Sequence, residues 1–360
     1  MLHLVLPVGI SFYTFQALSY SIDVYKDKLT PTRDAVAFFA YIAFFPQLVA
    51  GPIERATNLL PQFQRQRQFD YTQAVDGARQ ILWGLFKKMV VADNCAAFVD
   101  QVFSSGGNGS EHLIAAVLFT FQIYGDFSGY SDIAIGTAKL FGIRLMQNFR
   151  TPYFSRDIAE FWRRWHISLT TWFRDYIYIP LGGSRVDKWK VVRNTFVIFL
   201  VSGLWHGANW TFIAWGFYHA CIFLPLILLG HNRKHTDTVA AGRLLPTWKE
   251  LGQMLLTFAL ATVGWIIFRA TGILSAISYL RSMLNVETFT GFYLLFTRRE
   301  MIPIGIMLLV EWLNRSREHG LQDLDLIMKK RWLCCVLYAL TFVAVIFFRG
   351  DYAEFIYFQF

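Results

Sequence analysis

The chain has 360 residues, 55% of them hydrophobic and 16% charged. With a mean hydropathy of +0.37 it is too apolar for an ordinary soluble domain and reads as a polytopic membrane protein. Its net charge of +9 is scattered over short segments between apolar runs, which suits loops facing anionic lipid and argues against nucleic-acid binding.

A membrane crossing needs about 20 apolar residues. In chain order the candidate spans are residues 2–22, 35–51, 112–125, 194–206, 208–229, 251–268, 301–313 and 332–348. Several are short, and short or glycine-interrupted spans predict broken or re-entrant helices, which persist at membrane depth only when packed in protein or lining a wet cavity. The opening LHLVLPVGISFYTF reads as a working span and not as a cleavable leader. Its abrupt start predicts further helices upstream. In PQLVAGPIERATNLLPQF a helix end meets a proline turn, and Glu54 and Arg55 are expected to fix that loop as a pair.

Residues 77–100 and 153–180 carry apolar side chains at helical spacing with charges between them, so both read as amphipathic or partly re-entrant helices. Between them, Asp126 and Asp132 in YGDFSGYSDIAIG close an apolar span. A structural network with Tyr124, Ser128, Tyr130 and Ser131 is the favoured reading, a proton relay or cation site the second. Segment 153–180 sets Phe161, Trp162, Trp165, Trp172 and Phe173 among Arg163, Arg164 and Arg174, a composition suited to an interface with guanidinium groups facing anions.

Basic residues cluster at 185–193 and again at 231–249, which places both segments on the cytoplasmic face. The 194–229 stretch between them allows two thin crossings joined at Gly207, Ala208 and Asn209, with His206 near the far end of the hairpin. One long tilted helix is the competing geometry. The basic connector 315–331 is assigned to the cytoplasmic side, leaving 351–360 outside. Cys95, Cys221, Cys334 and Cys335 have no metal-ligand spacing and read as small buried hydrophobes.

An ionisable side chain in hydrocarbon-depth sequence is costly, and so marks a functional candidate. His206 in GLWHGANW is the sharpest case, since a neutral imidazole can take a proton from a hydroxyl and return it to a leaving group. Hydrogen bonding to a neighbouring helix is the bland alternative. His219 in WGFYHA is a packing, orienting or catalytic residue. His166 is either an interfacial histidine or a donor-side residue, with Arg163 and Arg164 holding phosphate or carboxylate groups. Trp165 and Arg174 join them as donor-binding candidates, although Arg174 and Asp175 also suit a plain ion pair. The chain has no GxSxG elbow, phosphate-binding loop, dinucleotide fingerprint or HExxH zinc motif, and no metal is expected. Direct transfer assisted by histidine is the economical chemistry.

The strings SFYTFQALSYSIDVY, FFPQLVAGPIER, YGDFSGYSDIAIG, NFRTPYFSRDIAEFWRRWHISLTTWFRDYIYIPLGG, GLWHGANWTFIAWGFYHA and FIYFQF occur in that order. Together they resemble the membrane-bound O-acyltransferase family, most of all its bacterial branch that O-acetylates alginate and other exported polysaccharides. The resemblance implies one all-α membrane domain over residues 1–360, with about 8 to 11 transmembrane or re-entrant helices around a central tunnel. It also implies a bacterial inner-membrane location, acetyl-CoA as cytoplasmic donor with no bound cofactor, and an exported polysaccharide as acceptor, reached through a separate periplasmic acetyltransferase. His206 matches the family's near-invariant histidine, and His166 its second polar position. His206 is then expected to act as general base, with His166, Asn209 or a backbone amide steadying the oxyanion. A transporter or channel, or a silent scaffold for a partner enzyme, remains the alternative.

Overall fold

Two helices packed at glycine distance form the spine of the computed structural model, which describes residues 9–285, 288, 291, 293–324 and 330–356. Among these residues the chain is helical, without a strand. Helices α1 (Ile10–Tyr25), α2 (Ala35–Ile42) and α3 (Ala56–Gln64) pack together ahead of the spine. Helix α4 (Tyr71–Leu85) continues through a π-helical stretch (Phe86–Ala92) into α5 (Asp93–Ser105), and α6 (Gly109–Leu140) returns antiparallel to it. A Cβ on Gly77 would sit 2.6 Å from the Gly136 carbonyl oxygen, and one on Gly84 2.6 Å from that of Gly129. Larger residues there would force the helices apart, the close approach that small residues permit between membrane helices.

Helix α6 is 32 residues long, so the expected crossing at 112–125 is only its first part, and Asp126 and Asp132 lie inside it. The helix continues past both because their charge is neutralised from the π-helical stretch. Lys87 reaches Asp132 at 2.5 Å and Lys88 reaches Asp126 at 2.7 Å. Lys87 is thus a buried cation and Lys88 a half-buried one. Glu54 and Arg55 also differ from expectation, because each holds the loop through a separate partner. Glu54 accepts from Asn58 at 2.7 Å and from the Met146 amide, while Arg55 lies 3.6 Å from Asp175 and over the Tyr176 ring.

After Pro152–Phe154 come two short helices, α7 (Ile158–Arg164) and α8 (Ile167–Phe173), followed by a π-helical turn at Arg174–Tyr178. They lie within the protein and not along a surface: Phe161, Trp165, Trp172 and Phe173 are all buried. The same helical spacing serves either placement, and here ion pairing of Glu160 with Arg156 and Arg164 makes the interior one tolerable.

Helices α9 (Lys188–His206) and α10 (Trp210–Leu228) form the expected hairpin. The chain leaves the helix at Gly207, and Asn209 caps α10 by accepting from the Thr211 amide, so the single tilted helix is excluded. A Cβ on Gly203 would lie 2.3 Å from the Phe212 carbonyl oxygen, and one on Gly216 2.2 Å from that of Phe199. Helix α11 (Trp248–Arg269) packs against α10, and α12 (Ile273–Ser282), α13 (Leu294–Thr297), α14 (Met301–Leu313) and α15 (Arg331–Phe347) complete the described helices.

Helices α10 and α11 are long and apolar enough to cross a bilayer, and α14 and α15 are shorter apolar helices. Leu255, Leu256, Leu309 and Leu340 point outward, while Lys87, Glu160, Glu311 and His166 are buried. That inversion is the pattern of a protein solvated by lipid. Parts of three expected segments lie outside the described residues: 2–8 of the first span, 325–329 of the 315–331 connector, and 357–360 of the terminal motif.

Candidate active site

His166 owes its position to a break between two helices. Helix α7 ends at Arg164, α8 begins at Ile167, and His166 between them adopts a left-handed conformation (φ 42°, ψ 55°). For a residue with a Cβ that conformation costs about 1–3 kcal/mol and persists only where surroundings impose it. Here the imposing segment is 148–150, whose backbone brackets the break: the Arg150 amide donates to the Arg164 carbonyl and the Ile167 amide to the Asn148 carbonyl, both at 2.9 Å.

Asn148 also sets the imidazole's tautomer. Its Oδ1 accepts from the Ser168 amide at 3.3 Å and the Ser168 hydroxyl at 2.9 Å, which fixes that atom as the oxygen. The same Oδ1 lies 3.1 Å from His166 Nδ1, so Nδ1 carries the hydrogen. Nε2 is left with its lone pair, buried and without a hydrogen-bond partner among the described residues. Phe127 meets the ring edge-on at 4.6 Å, and Phe12 and Phe149 stack on it at 6.4 Å. Neither Asn148 nor Ser168 stands out in the sequence, since neither belongs to a spacing that predicts chemistry.

His206, the last residue of α9, is half-buried. Trp205, Phe268 and Trp215 surround its ring at 4.8, 5.0 and 5.3 Å. His166 and His206, 40 positions apart in the chain, line one inner cavity of about 90 Å³ with Trp162, Trp165, Leu169, Ser202, Trp215, Trp265 and Ile356. One water needs on the order of 10–15 Å³ on this measure, so the space admits several waters or a short acyl group. Trp215 adds a donor, for its buried Nε1 has no acceptor among the described residues.

Two further spaces flank the cavity. At the turn of the α9–α10 hairpin a vestibule of about 930 Å³ is lined by Gly207, Asn209, Phe212, Thr271, Ser275 and Tyr279, and it shares Phe268 with the cavity. A polar basin of about 270 Å³ is lined by Arg150, Arg163, Arg164 and Arg315 against Glu160 and Asp237, a surplus of two positive charges. Helix α7 joins basin to cavity: Trp162 faces the cavity, and Arg163 and Arg164 face the basin.

The other sequence candidates divide between these places. Arg163 donates to the Asn232 and His235 carbonyls at 2.8 and 2.6 Å, and Arg164 binds Glu160 and the Asp237 carbonyl at 2.8 and 2.9 Å. Both therefore hold segment 232–237 over the basin. Arg156 lies 2.8 Å from the Asp237 carboxylate and holds its pKa below the usual range, while burial pushes His235 down. Trp165 is a cavity wall, 4.7 Å from Trp265. Arg174 is exposed, pairs with Asp175 at 2.7 Å and is not among the basin's lining residues. The Asn209 side chain is engaged as the α10 cap and with the Thr271 carbonyl at 3.3 Å, on the vestibule side. His219 accepts from Trp162 Nε1 at 3.3 Å and is not among the cavity's lining residues, which makes it an orienting partner of that tryptophan.

Residues 29–259 match the family model described as MBOAT, membrane-bound O-acyltransferase. A Pseudomonas aeruginosa protein described as "Probable alginate O-acetylase AlgI" is 42% identical over 79% of this chain and 53% of its own length. The peptidoglycan O-acetyltransferase of Helicobacter pylori is 32% identical across the whole chain and 75% of its own length. A teichoic acid D-alanyltransferase of Streptococcus thermophilus is 30% identical over 72% of this chain and 68% of its own. The chain spans about half the length of the alginate O-acetylases it matches.

Proposed function

The chain belongs to the membrane-bound O-acyltransferase family, and on that premise we propose that it moves an acetyl group from acetyl-CoA to a hydroxyl on the far side of the bacterial inner membrane. The convergence of His166 and His206 on one cavity between a cationic basin and a wide vestibule carries this reading. The basin suits the phosphates of the donor, because arginine forks bind phosphate oxygens strongly. The narrow cavity suits a two-carbon acyl group, and the vestibule suits a polymer or a protein that carries the acceptor. Relatives named for alginate, peptidoglycan and teichoic acid support an exported polysaccharide, reached directly or through a periplasmic acetyltransferase.

His206, at the vestibule end, takes the proton of the attacking hydroxyl. The oxygen bonds to the thioester carbonyl carbon, the Trp215 indole N–H donates to the developing oxyanion, and the C–S bond breaks. The thiolate then takes the proton from His206 and leaves as free CoA. His166, with its hydrogen committed to Asn148, presents a fixed acceptor and so orients the donor arm; while neutral it has no second N–H to offer the oxyanion. Thiol release from acetyl-CoA by the purified protein, with the host cell-envelope fraction as acceptor, tests the reading. His206→Ala at normal protein level should lose about 10²- to 10⁴-fold in rate; wild-type turnover in that variant would end the proposal. A transporter or scaffold would leave the thioester intact.

A further inference from the structure

One wall of the cavity comes from a segment without regular structure. After α15, residues 351–354 run partly exposed over the protein, and then Phe355 and Ile356 turn inward and are buried. Ile356 lines the cavity beside His166, Leu169 and Phe127.

The chain is pinned along this course. Asn94 Nδ2 donates to the Phe348 carbonyl at 2.8 Å, and the Gly350 amide to the Met89 carbonyl at 2.9 Å. A Cβ on Gly350 would meet backbone atoms of Asp93 and Asn94 at 2.5 Å, so the segment lies directly on the junction of the π-helical stretch with α5. Lys88 donates to the Ala353 carbonyl at 3.1 Å while paired with Asp126 and Asp93 at 2.7 and 2.9 Å. Asp126 in turn accepts from the Ile356 amide at 2.7 Å. The buried ion pair thereby fastens both sides of the inward turn. A half-buried cation between two carboxylates is costly to assemble away from water, and the hydrogen bonds of Lys88 and Asp126 go to the backbone that carries Ile356.

We propose that Ile356, held in place by the Lys88–Asp126 latch, sets the upper length of the acyl group that the cavity accepts. This rests on the acyl-transfer reading. In a cavity of about 90 Å³, the size of a lining side chain decides whether a longer acyl group fits beside His166, and one methylene in such a pocket discriminates by about 10- to 200-fold.

Two measurements test this on the full chain. The first is thiol release from acetyl-, propionyl- and butyryl-CoA with the host cell-envelope fraction. The second is the affinity ratio for S-ethyl-CoA and S-butyl-CoA, thioethers that bind without reacting. Ile356→Ala should raise the butyl-to-ethyl affinity ratio by about tenfold or more, and Ile356→Phe should lower it. Lys88→Met should shift the ratio in the same direction as Ile356→Ala, with Lys88→Arg restoring the wild-type preference. A ratio unmoved in folded, monodisperse Ile356→Ala overturns the inference, and a ratio unmoved in folded Lys88→Met, or shifted equally in Lys88→Arg, overturns the latch. Absence of thiol release in the wild type would instead sink the acyl-transfer reading, and the thioether ratio would still judge the wall.

Discussion

The molecule buries polar groups in two neighbouring regions and treats them in opposite ways. Around the π-helical stretch each cation meets carboxylates: Lys87 has Asp132 at 2.5 Å and Glu311 at 4.0 Å, and Lys88 has Asp126 and Asp93. Around the two histidines, buried polar atoms of the cavity's lining residues, His166 Nε2 and Trp215 Nε1, lack a partner among the described residues. Leaving a buried polar atom unsatisfied costs about 1–3 kcal/mol, more than a fold tolerates without a reason. The paired region is scaffold, and at Lys88 and Asp126 it also holds the backbone of the cavity wall. On the proposed reading, the unpaired one awaits a substrate that brings the missing donors and acceptors.

Substitutions in the two regions should therefore separate activity from stability. The largest effect belongs to His206→Ala, with thioester turnover down about 10²- to 10⁴-fold and the thermal unfolding midpoint in detergent little changed. A large fall in that midpoint would show that His206 is a packing residue and would erase the contrast. Lys87→Met should do the reverse. It strands Asp132 and Glu311 without their cation, at a cost of about 3–5 kcal/mol, read as loss of folded, monodisperse protein. If Lys87→Met folds normally and only turnover falls, the ion-paired region is catalytic and the division fails.

Trp215→Phe sharpens the contrast inside the cavity. The ring that packs on Trp162 at 5.6 Å and His206 at 5.3 Å is kept in kind, and the orphaned N–H is removed. Turnover should fall about 10²- to 10³-fold with donor KM little changed, the signature of a donor used in the transition state. An equal rise in KM would assign Trp215 to ground-state binding.

How far the sequence reveals this arrangement depends on whether a feature is local. The α9–α10 hairpin is legible because basic loops bracket it and Gly207, Ala208 and Asn209 fall at its turn. His206 and His166 are legible as costly residues in apolar surroundings. The length of α6 is not, since Asp126 and Asp132 look like the end of a span until the lysines that neutralise them come across from another helix. Asn148 and Trp215 escape notice for the same reason. An asparagine after a helix and a tryptophan in an aromatic helix gain meaning only when His166 Nδ1 and the cavity are brought to them.

The smallest effect lies at the basin, where the pairing is exposed to water. Arg156 holds Asp237 by a hydrogen bond of 2.8 Å, and Arg163 and Arg164 hold the neighbouring carbonyls. Because that hydrogen bond lowers the folded-state pKa of Asp237, its contribution to stability is present above the unfolded pKa of about 3.9. It is lost as pH falls through the depressed folded value. Solvent screening keeps the contribution below about 1 kcal/mol, so Asp237→Asn should leave the unfolding midpoint near wild type at neutral pH. The consequence expected is at the donor. Loosening segment 232–237 relaxes the arginines that line the basin, and donor KM should rise a few-fold, an energy of the order of an exposed ion pair, with kcat unchanged. A fall in kcat with constant KM would mean that the segment acts on the cavity itself, and the basin would then belong with the histidines and not with the scaffold.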